Sequence, residues 1–172
     1  MVRLVEAMRR RDLVMLQSHL EMGNIVSLET APKIRIVIVE KHAAVRRALR
    51  KRLSVTSHLE VIATLQEPAE ALAYLSLPGV STDCSASADV VLLGLQNESD
   101  EELFNTLENV RKLTRFSAAV IVLAPFADEV ERLLMQQAGV SSYLLKYIDS
   151  QRLIQEIESA SHRNSTPITR SS

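Results

Sequence analysis

The chain has 172 residues, a formal net charge of −1 and a hydrophobic fraction of 47 %, which suits one domain with tails and a real core. Aromatic residues make up only 3 % and tryptophan is absent, so the core must be aliphatic. The balanced charge excludes the strongly basic footprint of a dedicated DNA-binding domain, and the single cysteine, Cys84, excludes a disulfide framework or a cysteine-rich zinc site.

Residues 2–22 read as an amphipathic helix, since Leu13, Leu16 and Leu20 recur at helical spacing, as do Leu4, Val5 and Met8. Gly23 and Asn24 mark its stop, and the stretch to Lys33, with Ala31 before Pro32, reads as a linker. Arg9, Arg10, Arg11 and Asp12 interrupt any signal-peptide pattern. No apolar run approaches the roughly 18 residues of a membrane helix. A cytoplasmic protein without membrane contact is therefore expected.

From Ile34 strands alternate with helices. The β-branched run 34–39 suits a buried parallel strand. Residues 42–53 follow as a helix with Val45, Leu49 and Leu53 on one face. A strand over 59–65 leads to a helix over 68–77 that carries proline at its start, where a missing N–H does no harm. The Ser-rich loop 78–88 precedes a strand over 90–95. A helix over 100–113 has carboxylates in its first turn, which suits the helix dipole. A strand at 118–123, a helix at 128–138 ending on Gly139, a strand at 142–145 and a helix at 150–159 capped by Asp149 or Ser150 complete the chain. The polar segment 161–172 is expected to be disordered.

Five βα repeats imply a parallel sheet covered on both faces. The expected architecture is an α/β, three-layer, flavodoxin-like sheet of order 2-1-3-4-5 with an added N-terminal helix. The corresponding domain division is 1–33 as helical extension and linker, 34–160 as the α/β domain, and 161–172 as tail.

Four stretches in this order resemble the receiver domains of bacterial response regulators. Gly139 through Lys146 (GVSSYLLK) is similar to the GASGYLLK stretch of receivers that carry a LuxR-type helix-turn-helix output. Ile34 through His42 (IRIVIVEKH) resembles IRVLIVDDH, Ala88 through Leu95 (ADVVLLGL) resembles PDVVLLDL, and Val120 through Pro125 (VIVLAP) resembles VIVLTA. The resemblance covers residues 34–160 and implies the CheY-like fold and a place in two-component signalling.

The same resemblance marks what differs. Where the family has its phosphoacceptor aspartate, this chain has Gly94; where it has its acidic, magnesium-binding pair, it has Glu40 and Lys41. A lysine offers no oxygen to a hard cation. The switch hydroxyl position is Ala124 and the switch aromatic position is Tyr143; the site lysine is retained as Lys146. Of the other carboxylates, Asp89 sits at the far end of its strand, about 16 Å away at roughly 3.3 Å per residue, while Glu98 and Asp100 are nearer, in the following loop. No metal, cofactor or catalytic residue is expected, so the chain is not read as an enzyme.

Each of these residues also has a plain reading. Lys146 could bind an anion, but a neutralising pair with Glu40 is favoured. Gly94 could open space for a ligand, but drift after loss of phosphorylation is favoured. Tyr143 could be a switch, but packing is favoured. Arg46, Arg47, Arg50, Lys51 and Arg52 make the first domain helix basic, suited either to an acidic partner or simply to solvent. Val130, Leu133, Leu134 and Met135, with Tyr143 and Leu153, approximate a face that receivers use to dimerise.

The favoured function is a degenerate receiver acting, without phosphorylation, as a protein-interaction or dimerisation module, with a signalling protein or a second copy as partner and no direct DNA binding. The alternatives are a small-molecule sensor, with ligand held against Gly94, Ala124 and Lys146, or the regulatory half of a LuxR-type transcription regulator lacking its DNA-binding domain.

Overall fold

The computed structural model describes residues 32–77, 87–96 and 99–165. The helix expected over 2–22, its linker and most of the Ser-rich loop lie outside the described residues.

The elements in chain order are β1 (Ile34–Val39), α1 (Ala43–Ser54), β2 (Leu59–Leu65), α2 (Pro68–Leu75), β3 (Val90–Gly94), α3 (Asp100–Leu113), β4 (Ala119–Ala124), α4 (Glu129–Gln137), β5 (Ser142–Leu145) and α5 (Ser150–Ser165). The sheet has the order β2-β1-β3-β4-β5, and each pairing is parallel. This is the expected flavodoxin-like arrangement.

Alternation along each strand divides the core into two layers. Val37, Val39, Val91, Leu93, Val120 and Val122 turn to one face, where Ala71 of α2, Val110 of α3 and Met135 of α4 cover them. Ile36, Ile38, Val90, Leu92, Ile121 and Leu123 turn to the other, beneath Leu49 and Leu53 of α1 and Leu153 and Ile157 of α5. Burial of each such aliphatic side chain contributes about 1.5–3 kcal/mol, so strands apolar on both faces favour this one central position. Truncating Leu92, which is fully buried, to alanine is worth about 2–5 kcal/mol.

Local chemistry sets the helix ends. Ser99 and Glu102 form a reciprocal capping box at the start of α3. Asp128 accepts the Glu131 amide at the start of α4, and Asp149 accepts the Arg152 amide at the start of α5. Gly139 follows α4 at φ +96°, a left-handed conformation that glycine adopts without a Cβ clash.

The last helix is longer than the sequence pattern predicts. It continues past residue 159 to Ser165, so the segment read as disordered from 161 begins in helix. The buried Ala160 extends the apolar stripe of Leu153 and Ile157, and polarity beyond it did not stop the turn.

Candidate functional site

Parallel strands end together, so the C-terminal edge of the sheet gathers Glu40 after β1, Gly94 at the end of β3, Ala124 at the end of β4 and Lys146 after β5. The backbone fixes this register: the Leu95 amide donates to the Leu123 carbonyl at 2.9 Å and the Lys146 amide to the Ala124 carbonyl at 2.8 Å.

Glu40 is the centre of the cluster, and its side chain is fully buried. Oε2 lies 2.8 Å from the Lys146 ammonium, whose side chain is 18 % exposed. That oxygen has no directed hydrogen bond besides the ion pair. Oε1 accepts the His42 amide at 2.8 Å and the Gln96 side-chain amide at 3.0 Å, and the His42 ring nitrogen Nδ1 stands 3.4 Å away. The Arg46 guanidinium donates to the Glu40 carbonyl. Burial alone would push the Glu40 carboxyl up; the Lys146 ammonium, the His42 amide and the Gln96 amide outweigh it and hold the carboxyl below its ordinary value.

The carboxylate reaches into the space beside Gly94. A Cβ on residue 94 would stand 2.1 Å from Glu40 Oε2 and 3.0 Å from Glu40 Cδ, well inside van der Waals contact. Glycine is thus the residue that lets Glu40 and Lys146 meet over the end of β3. The space beside Gly94 is filled by the Glu40 carboxylate.

Other residues singled out by sequence divide between this cluster and elsewhere. Lys41 is exposed. Ala124 is fully buried in the core. Tyr143 is more than packing: its hydroxyl donates to Glu131 Oε1 of α4 at 2.6 Å. Burial, with a smaller contribution from Asp128, pushes the Glu131 carboxyl up against the opposing pull of the Tyr143 hydroxyl. Burial and the Glu131 carboxylate push the Tyr143 hydroxyl far above its ordinary range. Asp89 accepts the Arg35 amide at 2.7 Å, at the opposite end of the sheet. Glu98 and the side chain of Asp100 lie outside what is described.

In the basic helix, Arg46 is turned to the Glu40 carbonyl and Arg52 to the Ile148 carbonyl and the Ser150 hydroxyl. Arg47, Arg50 and Lys51 remain exposed. Of the expected apolar face, Met135 and Leu153 are core, whereas Val130 and Leu133 are exposed, together with Phe126 and Tyr147. Two residues were missed by sequence reasoning: Gln96 and Glu131. Both are polar residues of ordinary spacing, and only the fold brings them to Glu40 and Tyr143.

The strand order, the left-handed glycine before β5 and the lysine after it decide the architecture. The chain has the response-regulator receiver fold. It is 29 % identical over 128 residues to the transcriptional regulatory protein LiaR of Bacillus subtilis, a match covering 74 % of this chain and 56 % of LiaR. Among solved structures it is similar to the signal receiver domain of a NarL response regulator from Mycobacterium tuberculosis, at a TM-score of 0.62 and 16 % identity, covering 76 % of this chain and 98 % of that one. It is also similar to a LuxR-family two-component response regulator from Aurantimonas sp. SI85-9A1, at a TM-score of 0.61 and 21 % identity, covering 76 % of this chain and 86 % of that one. A LuxR-family DNA-binding response regulator from Staphylococcus aureus gives a TM-score of 0.59 at 16 % identity, covering 74 % of this chain and 98 % of that one. No protein-family model matches the chain.

The receiver fold implies a magnesium ion at this edge, and the donor set here does not fit one. Both oxygens of Glu40 are engaged, Lys41 supplies a cation where a second carboxylate would stand, and Gly94 has no side-chain oxygen. Among the described residues no helix is long and apolar enough to cross a membrane.

Proposed function

We propose that this chain is a receiver-fold module whose state is set by binding rather than by phosphoryl transfer. The observation that supports this reading is the 2.1 Å separation between Glu40 Oε2 and the place of a residue-94 Cβ. Accepting a phosphoryl group requires a carboxylate oxygen that a donor can reach in line, with cationic charge arranged around the transferring oxygens. Glu40 supplies a carboxylate, but its side chain is fully buried and its charge is already answered by Lys146. The lysine that would otherwise meet an acyl phosphate is held by a resident group.

Such a module acts through surfaces, with a protein as partner and no chemistry of its own. Phe126, Val130, Leu133 and Tyr147, on or beside α4 and β5, expose large apolar area, which suits a signalling protein or a second copy of the chain. The helix read over 2–22 adds a further surface to the domain 34–160, in the cytoplasm. Sedimentation velocity tests the reading: self-association is expected to be the same with and without acetyl phosphate and magnesium, and a phosphodonor-driven change would overturn it.

The match to LiaR, a transcriptional regulatory protein, favours a second, compatible reading, in which the module is the regulatory part of a transcription regulator. On that reading the chain itself leaves a DNA duplex unshifted at low salt.

A further inference from the structure

Beside Gly94 lies a cleft of about 780 Å³, between the ends of β1, β2 and β3 and the helices α2 and α3. Neither Ala124 nor Lys146 lines it, so open space near Gly94 lies elsewhere than the pocket expected from sequence. Its buried wall is apolar, from Val39, Leu93 and Leu95. Its polar wall includes four carboxamides, Gln66 after β2, Gln96 after β3, and Asn105 and Asn109 one turn apart on α3, beside His42 and Thr106; the Gln96 amide nitrogen is already given to Glu40.

The two asparagines are poorly explained by the helix alone. Asparagine is a weak helix former because its amide competes with the backbone. Neither one caps α3, whose start is held by Ser99 and Glu102. Among the described residues, neither side chain has a hydrogen-bond partner. The cleft is lined by one ammonium, Lys41, and two carboxylates, Glu67 and Glu102, and the Glu102 carboxylate is tied to the Ser99 amide and hydroxyl.

A carboxamide offers an acceptor and two donors in one plane. Asparagine and glutamine use that plane to pair with the edge of a base. An anionic ligand would meet only one ammonium here, against two carboxylates. We propose that this cleft binds a small, uncharged, planar heterocycle with adjacent donors and acceptors, of the nucleobase or nucleoside class. Such a ligand would set the state of the module from a position beside the Glu40–Lys146 pair, and the proposal stands on the cleft whether or not the chain accepts a phosphoryl group.

The test is a ¹H–¹⁵N NMR titration of the full chain with adenosine, guanosine, cytidine and uridine in turn, up to about 1 mM, the weak end of specific affinity. At least one nucleoside is expected to shift amides within 39–42, 66–68, 93–96 and 102–109, with those shifts lost in N105L/N109L. The same spectra report whether that variant is folded; if it is not, Gln66→Leu at the exposed strand end takes its place and is expected to weaken binding several-fold. Absence of shifts with all four nucleosides, shifts outside those segments, or shifts that persist in the folded variants would overturn the proposal.

Discussion

Glu40 and Gly94 share one volume. The carboxylate of the first stands where the side chain of the second would begin, 2.1 Å from its Cβ position, and there it meets Lys146 at 2.8 Å. The pair is a size exchange between neighbouring strands: a longer acid after β1 and no side chain at the end of β3.

This exchange makes substitutions at residue 94 depend on residue 40. Gly94→Ala requires the carboxylate to move, and a carboxylate held by Lys146, Gln96 and the His42 amide moves only by losing those contacts. A cost of about 1–3 kcal/mol is expected, as for overpacking of a filled site. Glu40→Asp withdraws the acid by one methylene and leaves room for the new methyl. In a double-mutant cycle read by urea unfolding, E40D is expected to relieve G94A by about 0.5–2 kcal/mol; additive costs would mean that the two side chains do not compete.

Lys146→Met leaves a buried carboxylate without its counter-charge. The expected loss near neutral pH is about 3 kcal/mol, the range for breaking one side of a buried pair. The Glu40 carboxyl is held below its unfolded value, taken as 4.5. Its contribution to stability is therefore full above that value and is lost as pH falls through the folded pKa. The gap between K146M and the parent should narrow in acid; a gap independent of pH would show that the methionine acts by packing alone.

The Glu131 carboxyl, which accepts from the Tyr143 hydroxyl, has the opposite pH sign. Burial first, with Asp128 adding to it, raises the Glu131 carboxyl above its unfolded value of 4.5. Stability from this group is thus full below the unfolded pKa and declines as pH rises through the folded one. The tyrosine hydroxyl steadies the ionised form, so Tyr143→Phe is expected to cost about 1 kcal/mol near neutrality and less in acid. Unfolding midpoints across that range measure it.

Val130 and Leu133 are exposed and contribute little to the core. Val130→Glu is expected to change stability by no more than about 0.5 kcal/mol while abolishing self-association or partner capture. Unchanged sedimentation and unchanged partner retention would remove this face from the account.

The strands were legible because β-branched runs bounded by turn residues have few other uses, and five right-handed βα units left a few orders, of which 2-1-3-4-5 was the leading one. Lys146 and Gly94 were legible as site positions through the resemblance alone. That Glu40 fills the gap was not, although its signal was present: glutamate is one methylene longer than aspartate, and Gly94 has no side chain. Seeing the exchange requires knowing that β1 and β3 are neighbours with Val39 beside Leu93. The continuation of α5 to Ser165 was hidden because polar residues end an apolar pattern without ending a helix.

The most direct measurement is the intact mass of the chain after incubation with acetyl phosphate and magnesium. The account predicts an unchanged mass, for the parent and for G94A alike. A phosphoryl adduct on the folded parent, released by mild base as an acyl phosphate would be, contradicts it.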